Sequence, residues 1–186
     1  MKKTIVVNLI GAPCAGKSTL AALVFSKLKM ANISCEIVTE FAKDLVWDNS
    51  NGLNNQLYVF SEQFHRIWRL QSQVDVVVTD SPMLLSIYYN RLQAPENQLP
   101  EDLFDNLVLD CNNKYDNLNY FIKRSHRYES KGRVHSERDS MRMEKDMLNL
   151  YNTMKINYKE THCSDAMAQM IVDDVKKRLE ELDELS

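Results

Sequence analysis

Gly11, Gly16, Lys17 and Ser18 stand in the spacing G-x-x-x-x-G-K-[ST], inside the run Gly11-Ala12-Pro13-Cys14-Ala15-Gly16-Lys17-Ser18-Thr19. Glycines let a backbone turn tightly and aim its N–H groups at an anion. A helix that starts there adds the positive end of its dipole. Lys17 has the reach to meet β- and γ-phosphates, and the Ser18 hydroxyl suits a Mg²⁺ ion. The residues from Gly11 to Thr19 therefore read as the phosphate cradle of a nucleoside triphosphate. The context agrees: an apolar stretch, Thr4 to Ile10, precedes the run, and a helix-like stretch, Leu20 to Met30, follows it.

Other residues carry chemistry at the ends of strand-like segments. Asp80 follows the β-branched run Val76-Val77-Val78-Thr79. A carboxylate on a buried strand needs a partner, and beside a phosphate loop Mg²⁺ is the natural one. The alternative is an N-cap of the next helix, a task Asp80 or Ser81 suits. Glu40 ends the preceding strand, where it can orient an acceptor hydroxyl and take its proton late in transfer; alternatively it is a first-turn glutamate favoured by the helix dipole. The stretch Lys123 to Arg133 is strongly basic and lacks apolar anchors. It reads as a lid over residues 124–142, with Arg124, Arg127 and Arg133 reaching the phosphates and Gly132 as a hinge; a solvated basic loop is the plainer reading. Phe41, Gln63 and Phe64 complete a candidate acceptor pocket, since an amide suits a base edge and a ring suits stacking, although an aromatic stripe at helical spacing also builds core.

The run Asn113-Lys114-Tyr115-Asp116 matches the N-K-x-D guanine pattern. Its usual companion, D-x-x-G after a strand, is missing, so these residues read as a polar turn.

The elements that must position these residues alternate. Strands are expected at 4–10, 33–39, 74–79, around Tyr120-Phe121-Ile122, and at 156–161. Helices are expected at 17–30, 40–47, 55–72, 83–92, 101–111, 137–154 and 165–183, with a turn-rich loop at 48–54. Alternation of this kind predicts a three-layer α/β/α domain with a mostly parallel sheet, residues 1–186 forming one unit. In such a sheet ligands sit beyond the carboxyl ends of the strands, where Glu40, Asp80 and Arg124 all fall.

The bulk properties agree with a compact intracellular protein. A chain of 186 residues is long enough for one substantial core. A net charge of −3 argues against generic polyanion binding over the whole surface. The four cysteines show no C-x-x-C pairing and read as reduced thiols. No apolar run approaches a membrane span and no signal layout opens the chain, so a cytoplasmic location without membrane contact is expected.

Taken together, GAPCAGKST, TEFAKDLVWD at 39–48, QLYVFSEQFHRIWRL at 56–70, VVVTDSP at 76–82 and FIKRSHRY…KGR at 121–133 resemble small P-loop kinases. The nicotinamide-riboside-kinase-like group, often labelled AAA-type ATPase and including many bacteriophage proteins, is similar over most of the chain. Similarity to nucleoside and nucleotide kinases implies a five-stranded sheet ordered 2-3-1-4-5, ATP and Mg²⁺ as donor and cofactor, a carboxylate after strand 2 near the acceptor, and an arginine-bearing lid. Glu40, Asp80 and Arg124 to Arg133 match those positions. Many such kinases dimerise, so a homodimer is among the expected assemblies, and a phage origin would put the protein in the host cytoplasm. One departure matters: strand 3 ends in Asp80-Ser81-Pro82, without the arginine that nucleoside kinases often place just after the acid.

The leading expectation is a kinase that moves the γ-phosphoryl group of ATP to a hydroxyl of a nucleoside, nucleotide or nicotinamide riboside. Two readings stay open beside it. One is a phage-type kinase acting on hydroxymethylated bases in DNA, with the basic stretch 123–142 lining a groove. The other is an NTP-hydrolysing switch without a small acceptor.

Overall fold

The computed structural model describes residues 4–125 and 136–184. The central strand, β1 (Ile5–Ile10), is buried along its whole length. It reads as an apolar run interrupted only by Asn8, because helices cover both faces of a parallel sheet. Its neighbours are β3 (Val76–Thr79) on one side and β4 (Asp116–Lys123) on the other. Outside these lie β2 (Cys35–Val38) and β5 (Lys159–His162), giving an all-parallel sheet in the expected order 2-3-1-4-5.

The alternation of side chains along the strands builds two cores. Ile5, Val7 and Leu9 pack with Val76, Val78, Tyr120 and Ile122 under α1 (Lys17–Met30) and α7 (Asp165–Glu184). Val6, Ile10, Val77 and Phe121 face the other way, towards α3 (Gln56–Trp68), α4 (Leu85–Arg91), α5 (Glu101–Asn112) and α6 (Glu137–Thr153). Each fully buried Val, Leu or Ile contributes about 1.5–3 kcal/mol relative to exposure. Asn8 is the polar member of the second face. Its amide donates to the Asn117 and Asn119 side-chain oxygens at 2.8 and 2.9 Å, a seam between β1 and β4 that offsets the cost of burying it.

Most predicted elements are present, with shifted ends. The helix expected over 55–72 stops at Trp68, and successive tight turns carry the chain to Gln73. The loop expected at 48–54 follows α2 (Phe41–Trp47) and holds a 3₁₀ turn, Asn51–Asn54. The last strand is Lys159–His162 and not 156–161. Ile156 and Tyr158, which lent the segment its strand-like pattern, instead pack as loop residues against the second core. The helix expected at 83–92 starts only at Leu85, with Leu84 as its N-cap, so neither Asp80 nor Ser81 caps it.

Asp116 opens β4 rather than closing a turn, beside Ile5 at the start of β1. That is the rim opposite the phosphate loop. Arg178 grips its carboxylate from both Nε and Nη2, at 2.9 and 2.7 Å to Oδ2. This structural ion pair removes the guanine reading of Asn113 to Asp116.

Candidate active site

Parallel strands deliver their carboxyl ends to one rim. Asn8 pairs with Thr79 and Val38 with Thr79, so the chain leaving β1, β3 and β2 emerges at similar height. Beyond β1 lies the loop Gly11 to Gly16; beyond β3, Asp80; beyond β2, Glu40; beyond β4, Arg124. The order of the strands reverses at β1, which puts the loop at the switch point of the sheet.

The loop is shaped by two backbone demands. At Gly11 an added Cβ would stand 2.8 Å from the Ile122 carbonyl oxygen, a close approach that only glycine allows. Gly16 has φ 94° and Cys14 φ 63°, both left-handed. A turn from Ala12 O to Ala15 N at 3.2 Å closes the cradle. Ala12, Cys14 and Ala15 are buried, Pro13 half-buried. Gly16 is the N-cap of α1 and offers no side chain to its first-turn amides, and no acidic residue stands in that turn. Those amides and the dipole behind them are left for an anion.

Lys17 folds back over the loop, its Nζ donating to Gly11 O at 2.8 Å and Ala12 O at 3.1 Å. Ser18 Oγ donates to Asp80 Oδ2 at 2.5 Å. Asp80 is 7% exposed, and its Oδ1 is buried with no hydrogen-bond partner. Thr19, the last residue of the loop sequence, lies exposed on the first turn of α1.

Glu40 is the N-cap of α2, but its side chain does not cap the helix. Burial first, then the charge of Glu40, raises the Tyr89 phenol of α4 above its ordinary range. Phe41 is buried, with Tyr58 edge-on at 5.2 Å and the Arg66 guanidinium 5.0 Å above its ring. Arg66 also pairs with Asp44 at 2.6 Å. Gln63 is 3% exposed and ties α3 to the chain after β2: its Oε1 accepts from Phe41 N at 2.9 Å, and its Nε2 donates to Thr39 O at 3.4 Å. Both ends of that amide are thus engaged with main chain. Phe64 stacks on Phe60 at 6.1 Å and lies under Lys114, within the second core.

Arg124 sits at the rim and its Nη1 donates to Glu137 Oε1 at 2.9 Å. Arg127, Gly132 and Arg133, and with them most of the expected lid, lie outside the described residues. The far end of that span, 137–142, is the start of α6 with a capping box between Ser136 and Asp139. Sequence reasoning missed Ser140, which bonds the phosphate loop at Pro13 O. The signal for Ser140 was present: it shares a helical stripe with Met143, Met147 and Tyr151, and a hydroxyl in an apolar stripe needs a partner.

Among the described residues no group of three or more His, Cys, Asp or Glu side chains could hold a metal ion by itself. No described helix is long and apolar enough to cross a membrane.

Fold and loop together define a small P-loop NTPase of the architecture found in nucleotide-handling kinases. The chain belongs to the AAA domain family, whose sequence model matches residues 6–166. Solved structures share the fold. Deoxyadenosine kinase from M. mycoides with bound dATP superposes with a TM-score of 0.57 at 14% identity, over 94% of this chain and 99% of that one. The same enzyme with bound dCTP gives 0.56 at 14%, over 95% and 99%. The Mycobacterium tuberculosis APS kinase CysC, in complex with AMPPNP and APS, gives 0.51 at 15%, over 93% and 98%. At these identities the likeness is one of fold. No curated protein sequence matches the chain.

Proposed function

We propose that this protein is an ATP- and Mg²⁺-dependent phosphotransferase that moves a γ-phosphoryl group to a hydroxyl of a nucleoside, a nucleotide or nicotinamide riboside. The observation that carries the reading is the Ser18–Asp80 contact beside the phosphate loop. Oδ2 of Asp80 takes the Ser18 hydroxyl, and the buried Oδ1 has no hydrogen-bond partner. A hydroxyl and a carboxylate with oxygen to spare fit Mg²⁺, which keeps several waters and leans on substrate phosphates. When bound, that ion supplies positive charge to the phosphate oxygens.

The chain's own groups do the rest. The loop amides and the α1 dipole hold the phosphates. Lys17 exchanges the Gly11 and Ala12 carbonyls for phosphate oxygens. Glu40 orients the acceptor hydroxyl and takes its proton, and Arg124, with the sequence-assigned Arg127 and Arg133, adds cations as charge develops. Phe41 floors the acceptor side, and Gln63 acts on it by holding Thr39 and Phe41 in place. Catalysis on this plan is positioning and charge stabilisation. The nucleoside and APS kinases among the structural neighbours favour a small hydroxyl acceptor.

The test is a panel of nucleosides, nucleotides, nicotinamide riboside and hydroxymethylated DNA with labelled ATP, run beside Lys17→Ala. Label should pass to one small acceptor in the wild type and to none in the variant. ATP turnover unchanged by every acceptor would replace the kinase with a switch, and label entering only DNA would replace the small acceptor.

A further inference from the structure

Helix α6 presents Ser140, Met143, Met147 and Tyr151 to the interior, at spacings of three, four and four residues. The two methionines fill the core. The two hydroxyls at the ends of the stripe bond main-chain carbonyls far away in sequence. Ser140, 3% exposed, donates from Oγ to Pro13 O at 2.6 Å. Tyr151 donates from its phenol to Leu84 O at 3.2 Å. Pro13 lies in the phosphate loop, and Leu84 closes the segment that begins at Asp80.

A peptide group is planar, with its C=O and the next N–H pointing in opposite directions. Pro13 C=O and Cys14 N–H share one plane, so a donor seated on Pro13 O fixes the direction of the Cys14 amide. Cys14 is the left-handed residue of the loop, with φ 63°. A left-handed residue among right-handed ones is how successive amides converge into an anion nest, and a side chain there is held against a cost. Gly11 O and Ala12 O are held by Lys17, which must leave them to meet a phosphate. The Ser140 bond comes from another element and survives that exchange.

We infer that Ser140 is a positioning residue for the phosphate loop, orienting the Pro13–Cys14 peptide for the phosphates, and that α6, through Ser140 and Tyr151, sets the loop against the segment carrying Asp80. The inference rests on the nucleotide site of the proposed function but not on any acceptor.

The test is equilibrium binding of a fluorescent ATP analogue with Mg²⁺, beside thermal melting, for the wild type, Ser140→Ala, Ser140→Thr and Tyr151→Phe. Ser140→Ala weakens binding about five- to tenfold, the range spanned by one hydrogen bond, and Ser140→Thr restores it to within about twofold by returning the hydroxyl. Tyr151→Phe raises the Mg²⁺ concentration for half-maximal binding by about two- to fivefold. If Ser140→Ala fails to fold, Ser140→Cys, a weak donor of similar size, carries the same comparison. Wild-type affinity in the Ser140 variant, even with a lowered Tm, would make the serine a core hydroxyl only. An unchanged Mg²⁺ requirement in Tyr151→Phe would remove the coupling through α6. A wild type that binds no analogue would overturn the nucleotide site itself, and the inference with it.

Discussion

Ser18 and Asp80 are 62 positions apart, yet the serine hydroxyl donates to the aspartate carboxylate at 2.5 Å. They meet because β1 and β3 are adjacent and parallel, with Asn8 beside Thr79. Ser18 lies in the first turn of α1, past the loop that leaves β1, and Asp80 is the first residue after β3. The contact leaves a buried carboxylate oxygen without a hydrogen-bond partner next to a cradle of amides, an arrangement that is costly unless a cation completes it.

Asp80→Asn keeps an oxygen for the Ser18 hydroxyl and removes the charge. It should fold normally, lower kcat by about 100-fold or more, equivalent to ~2.7 kcal/mol on the barrier, and move the Mg²⁺ optimum upward. A Mg²⁺ titration of both proteins decides this, and identical curves would remove Asp80 from the metal's ligands.

Glu40→Gln is expected to separate chemistry from nucleotide binding. The Glu40 side chain makes no capping bond to α2, so the helix has little to lose. Transfer should fall about 10- to 100-fold with the ATP dissociation constant nearly unchanged. Normal turnover in this variant would move the base elsewhere.

Gln63→Leu removes the acceptor for the Phe41 amide, which stays buried. An orphaned buried amide costs about 1–3 kcal/mol, and for a domain of this size each kcal/mol lowers Tm by about 2–4 °C. Differential scanning calorimetry should show a drop of about 2–12 °C, and steady-state kinetics a raised acceptor KM as Glu40 loosens. Lost activity at an unchanged Tm would instead indicate direct contact between Gln63 and the acceptor.

Alkaline pH should unfold the protein through its tyrosines. Burial is the first cause that pushes the Tyr88 and Tyr115 phenols up to about 12. In the unfolded chain they ionise near pH ~10. Above that pH the unfolded state binds fewer protons than the folded one, so stability is full below pH ~10 and is lost as pH rises towards about 12. Denaturant titrations from pH 8 to 12, followed by circular dichroism, check the slope; stability flat to pH 12 would contradict the burial of these hydroxyls.

The arrangement of Gly11, Gly16, Lys17 and Ser18 was legible from spacing alone, because the demand for glycine and lysine is local. The buried character of Val76 to Thr79 was equally legible, since a run of β-branched residues has few other uses. Gln63 was not. An amide in an aromatic helix reads equally as a ligand for a base or as a tie to main chain, and its bonds to Thr39 and Phe41 exist only once α3 lies across the end of β2. Asn113 to Asp116 was legible in part: residues 113–115 form the turn that the missing D-x-x-G implied, but only the register of β4 shows that Asp116 opens that strand at the far rim, held by Arg178.

By itself the sequence determined the alternation of strands and helices, the phosphate loop, and the acids and bases that end the strands. These follow from periodicity and short-range backbone geometry, which act over a few residues. Only the tertiary structure decided which of those ends meet. Strand order brings Ser18 to Asp80, and the packing of α6 brings Ser140 to Pro13 across 127 positions. Such contacts depend on which strands neighbour one another and which helix face is buried, properties that belong to the whole fold and to no segment of it.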